Sequence, residues 1–134
     1  MTKLASASTA LFAGLALVGC AMPPPSELDD TSWRSQSQLS GTEGTAAASL
    51  SFAQGEVSGS TGCNRFWAIY SIEADQLTVE EMAVTERGCM GAAGELERRF
   101  LELFAQPVTF EVLSSGDLAV SRGPDLALTF EPVE

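Results

Sequence analysis

The chain contains no histidine, and its only lysine is Lys3. The first absence removes the side chain most often used as a general base near neutral pH and as a nitrogen ligand for transition metals. Positive charge is scarce throughout: 7 Lys and Arg stand against 18 Asp and Glu in 134 residues, for a net charge of −11. A polyanion needs a basic face to neutralise its phosphates, so nucleic acid and anionic lipid surfaces are poor partners for this composition. No internal repeat of solenoid period is present, and no apolar run reaches the ~20 residues that a membrane-crossing helix requires. Cysteine occurs three times, at Cys20, Cys63 and Cys89.

What the N-terminus does hold is one early cation, Lys3, an uncharged apolar stretch from Ala10 to Val18, and then Pro23-Pro24-Pro25. This layout predicts a secretory signal peptide over residues 1–19. Leu17-Val18-Gly19-Cys20 resembles the bacterial lipobox, in which small residues admit the peptidase and the cysteine thiol takes a diacylglyceryl group. The resemblance implies a mature chain that begins at an acylated Cys20, with a membrane as its first partner. Because Ala21 rather than aspartate follows, it also implies sorting to the outer membrane, facing the periplasm. Each buried methylene contributes about 0.8 kcal/mol, so two or three acyl chains hold where one alone is marginal. The rest of residues 20–31, AMPPPSELDDT, reads as a semi-rigid spacer rich in proline and acid. Without residues 1–19 six arginines remain against 18 acids, a net charge of −12. That charge serves solubility, and it is also compatible with a basic protein as partner.

Residues 32–134 are enough for one hydrophobic core and not two. Their apolar positions mostly recur every second residue between turn signals, the pattern of strands wet on one face. Leu50 and Phe52 share a face, and Ala53-Gln54-Gly55-Glu56 turns the chain. In FWAIYSI, Phe66, Ala68, Tyr70 and Ile72 point one way and Trp67 and Ile69 the other, which predicts a central strand covered on both sides. Leu77 and Val79, then Met82 and Val84, continue the alternation with a phase slip at Glu80-Glu81 that a bulge would absorb. One segment breaks the rule: in GELERRFLELF, Leu96, Phe100, Leu103 and Phe104 form a helical stripe, with Glu95–Arg99 and Arg98–Glu102 as i,i+4 pairs on the wet side. Pro107 stops that helix, and VTFEV, DLAV and LALTF return to strand. The expected fold is α+β: a curved antiparallel sheet of seven or eight short strands packed around one amphipathic helix.

With Cys20 acylated, Cys63 and Cys89 remain as an even pair in an oxidising compartment, where a disulfide is the expected state and free thiols the alternative. A loop of about 26 residues so closed would stabilise the domain by about 3.5 kcal/mol. A nucleophilic cysteine lacks a histidine base here, and two distant cysteines fall short of a zinc ligand set. Asn64, Arg65, Thr85, Arg87 and Glu95 lie near these cysteines in sequence and form a candidate polar cluster. Asn64 suits a left-handed turn, Thr85 a turn start and Glu95 a helix N-terminus, while two arginines beside an amide could also grip a carboxylate or a peptide end. Gly59 and Gly62 read as bulge or close-approach positions, since no helix follows at once. Glu80-Glu81 raises paired-carboxylate glycosidase chemistry, but adjacent strand residues face opposite ways unless a bulge realigns them.

The run VSGSTGCNRFWAIY, followed by VTERGC and ELERRFLELF, resembles the META domain, the HslJ-like heat-shock lipoproteins of bacterial envelopes. The resemblance is carried by Gly59, Gly62, Cys63, Asn64, Phe66 and Tyr70, by Thr85 and Cys89, by Glu95, Phe100 and Leu101, and by Leu126, Leu128 and Phe130. Trp33 matches the family's opening tryptophan, and the likeness spans roughly residues 31–132. Arg87-Gly88 departs from it, standing where relatives often carry a hydrophobic or methionine pair before the second cysteine. The family implies a small cracked barrel with one packed helix, stress-related roles, and no established reaction. The expectation is therefore a noncatalytic, outer-membrane lipoprotein serving envelope stress or protein interaction, with no cofactor or metal. The alternative is a binding or inhibitory protein for a basic periplasmic enzyme such as lysozyme.

Overall fold

Alternating side chains give each strand one apolar face, and eight such strands bury those faces together by closing into an antiparallel barrel. The computed structural model describes residue 19 and residues 27–36, 40–41 and 44–134. The signal-peptide stretch apart from Gly19, the acylation site Cys20 and most of the spacer lie outside the described residues. In chain order the elements are β1 (Thr31–Ser35), β2 (Ser40–Gly41), β3 (Gly44–Thr45), β4 (Ser49–Ala53), β5 (Glu56–Ser60), β6 (Arg65–Glu73), β7 (Gln76–Val84), α1 (Gly91–Phe104), β8 (Val108–Val112), β9 (Leu118–Arg122) and β10 (Leu126–Pro132).

Strands β4 to β10 run as a meander, and β1 completes the barrel by pairing with β4 on one side and β10 on the other. Closure gives every barrel strand a partner on both sides among the described residues. The small β2–β3 ribbon stands apart from it. The β7–β8 seam is the narrowest, with pairing between Gln76 and Thr109 and between Leu77 and Val108. These are the two strands that α1 connects in sequence.

Local chemistry fits this path. The β4–β5 turn places Gln54 and Gly55 at φ 53° and 81°, the double positive φ that tight hairpins require. Between β6 and β7 the register slips by one residue: Trp67 pairs with Ala83 but Ile69 with Glu80, and Glu81 takes the left-handed conformation at φ 52°. The phase slip in the sequence is thus a bulge, and Leu77, Val79, Met82 and Val84 all belong to the core side.

The core is aromatic. Phe52 meets Tyr70 edge-on at 5.0 Å, while Phe100 of α1 sits 5.0 Å from Phe66 and 4.8 Å from Phe104. Helix α1 buries Leu96, Phe100, Leu103 and Phe104, the stripe read from the sequence. Packing also reaches upstream into the segment read as spacer: Leu28 is fully buried, and the Asp29 carboxylate accepts from Gln54 N at 2.8 Å and Tyr70 Oη at 3.1 Å.

Two expectations are corrected. Strand β6 is covered on its inner face only, because Trp67 and Ile69 are 42% and 38% exposed. A closed barrel has one inside, so outward residues find cover only where another element crosses them. The helical ion pair is Glu95–Arg98 at 3.5 Å rather than Glu95–Arg99, while Arg99 donates to the carbonyl of Ala127 and Arg122 to that of Glu102.

Candidate functional site

The turn from Thr61 to Asn64, between β5 and β6, meets the segment leading into α1 at one end of the barrel. Cys63 and Cys89 are joined there by a disulfide, with Cα atoms 6.0 Å apart. Beside it Asn64 is buried and uses both ends of its amide. Its Nδ2 donates to Glu97 Oε1 at 2.8 Å and to the Arg87 carbonyl at 2.9 Å. Its Oδ1 accepts from Arg87 N at 2.7 Å and Thr85 Oγ1 at 3.0 Å. Thr61 Oγ1 also donates to Glu97 Oε1, at 2.8 Å, and Thr61 N bonds the Asn64 carbonyl at 2.8 Å, closing the turn. Arg87 adds a bond from Nη2 to the Cys63 carbonyl at 2.9 Å. One side chain therefore ties the β5–β6 turn, the loop before α1 and α1 itself into a single knot.

Four of the five candidate polar residues thus converge, with Arg65 taking part through its backbone, whose N–H donates to Thr85 Oγ1 at 3.1 Å. Glu95 does not join them. It lies on the exposed side of α1, and the helix begins at Gly91 with no acidic residue in its first turn, so it has no N-terminal electrostatic role either. The carboxylate in the knot is Glu97, which sequence reasoning missed. Its signal was its position: Glu97, Phe100, Leu101 and Phe104 follow helical spacing, so Glu97 borders the buried stripe and must find a partner there.

Gly59 and Gly62 are the close-approach positions their spacing suggested. A Cβ on Gly59, at φ 153°, would lie 2.2 Å from the Ser49 carbonyl oxygen. One on Gly62, at φ 101°, would lie 2.7 Å from Leu96 Cδ2. Backbone contact at the first lets β4 and β5 approach; the second admits α1 over the turn.

Outside the knot, β1, β4, β5 and β6 present a polar outer face. A depression of about 550 Å³ there is lined by serines of β4 and β5 together with Asn64, Arg65 and Arg87. A second, of about 510 Å³, adjoins it across Ser58, Arg65 and Phe66 and extends to Trp67 and Thr85. Glu80 and Glu81 are both exposed on the bulge and line neither depression, so the realignment does not bring them into a cleft.

The META domain family model matches residues 26–133. Among solved structures, the chain is similar to an NMR structure of a protein from Burkholderia xenovorans, with 21% identity and a TM-score of 0.64 over 79% of this chain and 83% of that one. It is similar to a second NMR structure at 22% identity and a TM-score of 0.63, over 82% of this chain and 95% of the other. At such identities the likeness is one of fold. No curated protein matches the chain.

Proposed function

Because this chain belongs to the META domain family, we propose that it works as a noncatalytic recognition module of the bacterial envelope, held to the outer membrane by acyl chains on Cys20. The observation that carries the recognition part is the division of labour around the depression. The buried amide of Asn64 and the carboxylate of Glu97 are occupied by internal hydrogen bonds, whereas Arg65 is exposed at its rim. A surface built that way holds its shape and contacts a partner. The lipobox-like LVGC and the following proline-rich spacer support the anchor. Palmitate labelling of the wild type and of Cys20→Ala tests it: label should appear in the first and vanish from the second, and equal labelling refutes the anchor. Membrane fractionation then reports which membrane carries the protein.

A second reading, a binding or inhibitory protein for a basic periplasmic enzyme, is favoured by the net charge of −12 left after residue 19. It requires salt-sensitive capture of a basic lysozyme, strong at low ionic strength and lost when the Debye length shrinks to about 3 Å near 1 M salt. Retention that ignores salt, or none, removes it.

A further inference from the structure

Strand register arranges the outer face as two rows. In the first, Arg34 of β1 lies opposite Ser49, Ser49 opposite Ser60, and Ser60 opposite Arg65. In the second, Ser32 lies opposite Ser51, Ser51 opposite Ser58, and Ser58 opposite Trp67. Side chains at these positions share one face, because directly opposed residues point the same way. The result is a floor of five serine hydroxyls with an arginine at each end of one row and an indole at the corner. At about 4.8 Å per strand step, the two arginine Cα atoms are roughly 14 Å apart. Arg87 adds a third guanidinium at the edge of the depression.

This grouping runs against the rest of the molecule. Half of the six arginines that follow residue 19 lie here, in a chain with 18 acidic residues. Among the described residues the ion pair is Glu95–Arg98, and Arg34, Arg65 and Arg87 form none. Glu131, opposite Arg34, is in register with it but makes no ion pair. Trp67, 42% exposed, offers part of its indole face at this edge of the depression.

We infer that this face binds a short acidic glycan: Arg65 and Arg87 take a uronate carboxylate, Trp67 stacks on a sugar ring, and the serines bond its hydroxyls. Each group selects for that chemistry. Guanidinium pairs with carboxylate through charge-assisted hydrogen bonds. The negative π-face of indole attracts the polarised C–H groups of a pyranose ring. Ser32 and Ser51 bond each other at 3.1 Å, while Ser49 and Ser60 accept from the backbone N–H groups of Ser60 and Gly62 at 3.0 and 3.1 Å and keep their hydroxyl hydrogens to donate, which suits a polyhydroxylated ligand rather than an apolar peptide. The surrounding acidity repels a long polyanion such as nucleic acid, so the ligand must be short, with few charges in all. The proposal rests on reading the depression as a contact surface but not on the lipid anchor, so palmitate labelling and ligand titration fail separately.

The test is an NMR titration of the isotope-labelled full chain with three probes: tri-galacturonate, the neutral maltotriose, and a tripeptide with a free C-terminus. Tri-galacturonate should shift the Trp67 indole and the backbone amides of Ser58, Ser60 and Arg65, and bind at least roughly tenfold tighter than maltotriose. Arg65→Ala and Trp67→Ala should each weaken it roughly tenfold while leaving the remaining amide pattern in place, since Arg65 joins the knot through its backbone and Trp67 is exposed. Equal binding of the neutral sugar overturns the proposal, as does tighter binding of the peptide, which would make the face a peptide-end site. The absence of shifts on this face with excess tri-galacturonate overturns it too.

Discussion

Replacing Asn64 by alanine removes the side chain that joins three segments, and its cost follows from the bonds it makes. The amide gives one bond to the Glu97 carboxylate at 2.8 Å, two to the backbone of Arg87 at 2.7 and 2.9 Å, and one to Thr85 at 3.0 Å. A bond to a charged acceptor contributes about 1.5–3 kcal/mol and a neutral one about 0.5–1.5. Arg87 and Thr85 are exposed residues, so water takes over part of what they lose. The buried end, against Glu97, is not so compensated, and a net loss of about 3 kcal/mol is expected. For a domain of this size that lowers the melting temperature by about 12–20 °C. Urea denaturation followed by tryptophan fluorescence, with the disulfide kept oxidised, measures the loss. Combining Asn64→Ala with Glu97→Ala should show coupling of at least about 1 kcal/mol. Asn64→Asp should cost more than alanine at neutral pH, since it sets a second carboxylate where Nδ2 now lies 2.8 Å from Glu97 Oε1. A loss below about 1 kcal/mol for Asn64→Ala, or additive effects of the two alanines, would refute the knot as the fastening point of α1.

Other outcomes follow from the same geometry. Reducing Cys63–Cys89 frees a loop of 26 residues in the denatured state and should lower stability by about 3.5 kcal/mol; coincident denaturation curves with and without reductant would contradict this. Gly62→Ala should destabilise by about 2–3 kcal/mol, because its Cβ meets Leu96 of α1 and its φ is positive, and calorimetry should show a lower melting temperature. Leu96→Ala in the same chain should recover part of that loss if the contact is its cause. Phe100→Ala empties a site with no exposure and two aromatic neighbours and should cost about 3–5 kcal/mol by urea denaturation; a value below about 1.5 kcal/mol would mean that the helix is not a principal part of the core.

An acidic barrel that gathers three arginines on one outer face separates two electrostatic tasks. Its overall charge keeps it soluble and repels other anions at long range, whereas the local cluster acts within about one Debye length, roughly 8 Å at physiological salt.

Much of this fold is legible in the amino-acid order, because its physics is local. Period-two alternation marks the strands, the spacing of Leu96, Phe100, Leu103 and Phe104 marks the helix, the phase slip at Glu80-Glu81 marks the bulge, and an even pair of cysteines points to the bridge. Alternation says which residues share a face, but not whether a second layer covers the other one. Only the closed barrel decides that Trp67 and Ile69 stay in water. Nor does sequence proximity to a cysteine decide which acid reaches Asn64: rotating the helix by two residues replaces Glu95 with Glu97, and that rotation is set by packing Phe100 against Phe66. The serine rows with their flanking arginines are likewise a product of register among four strands, drawn from separate stretches of chain that the barrel alone brings together.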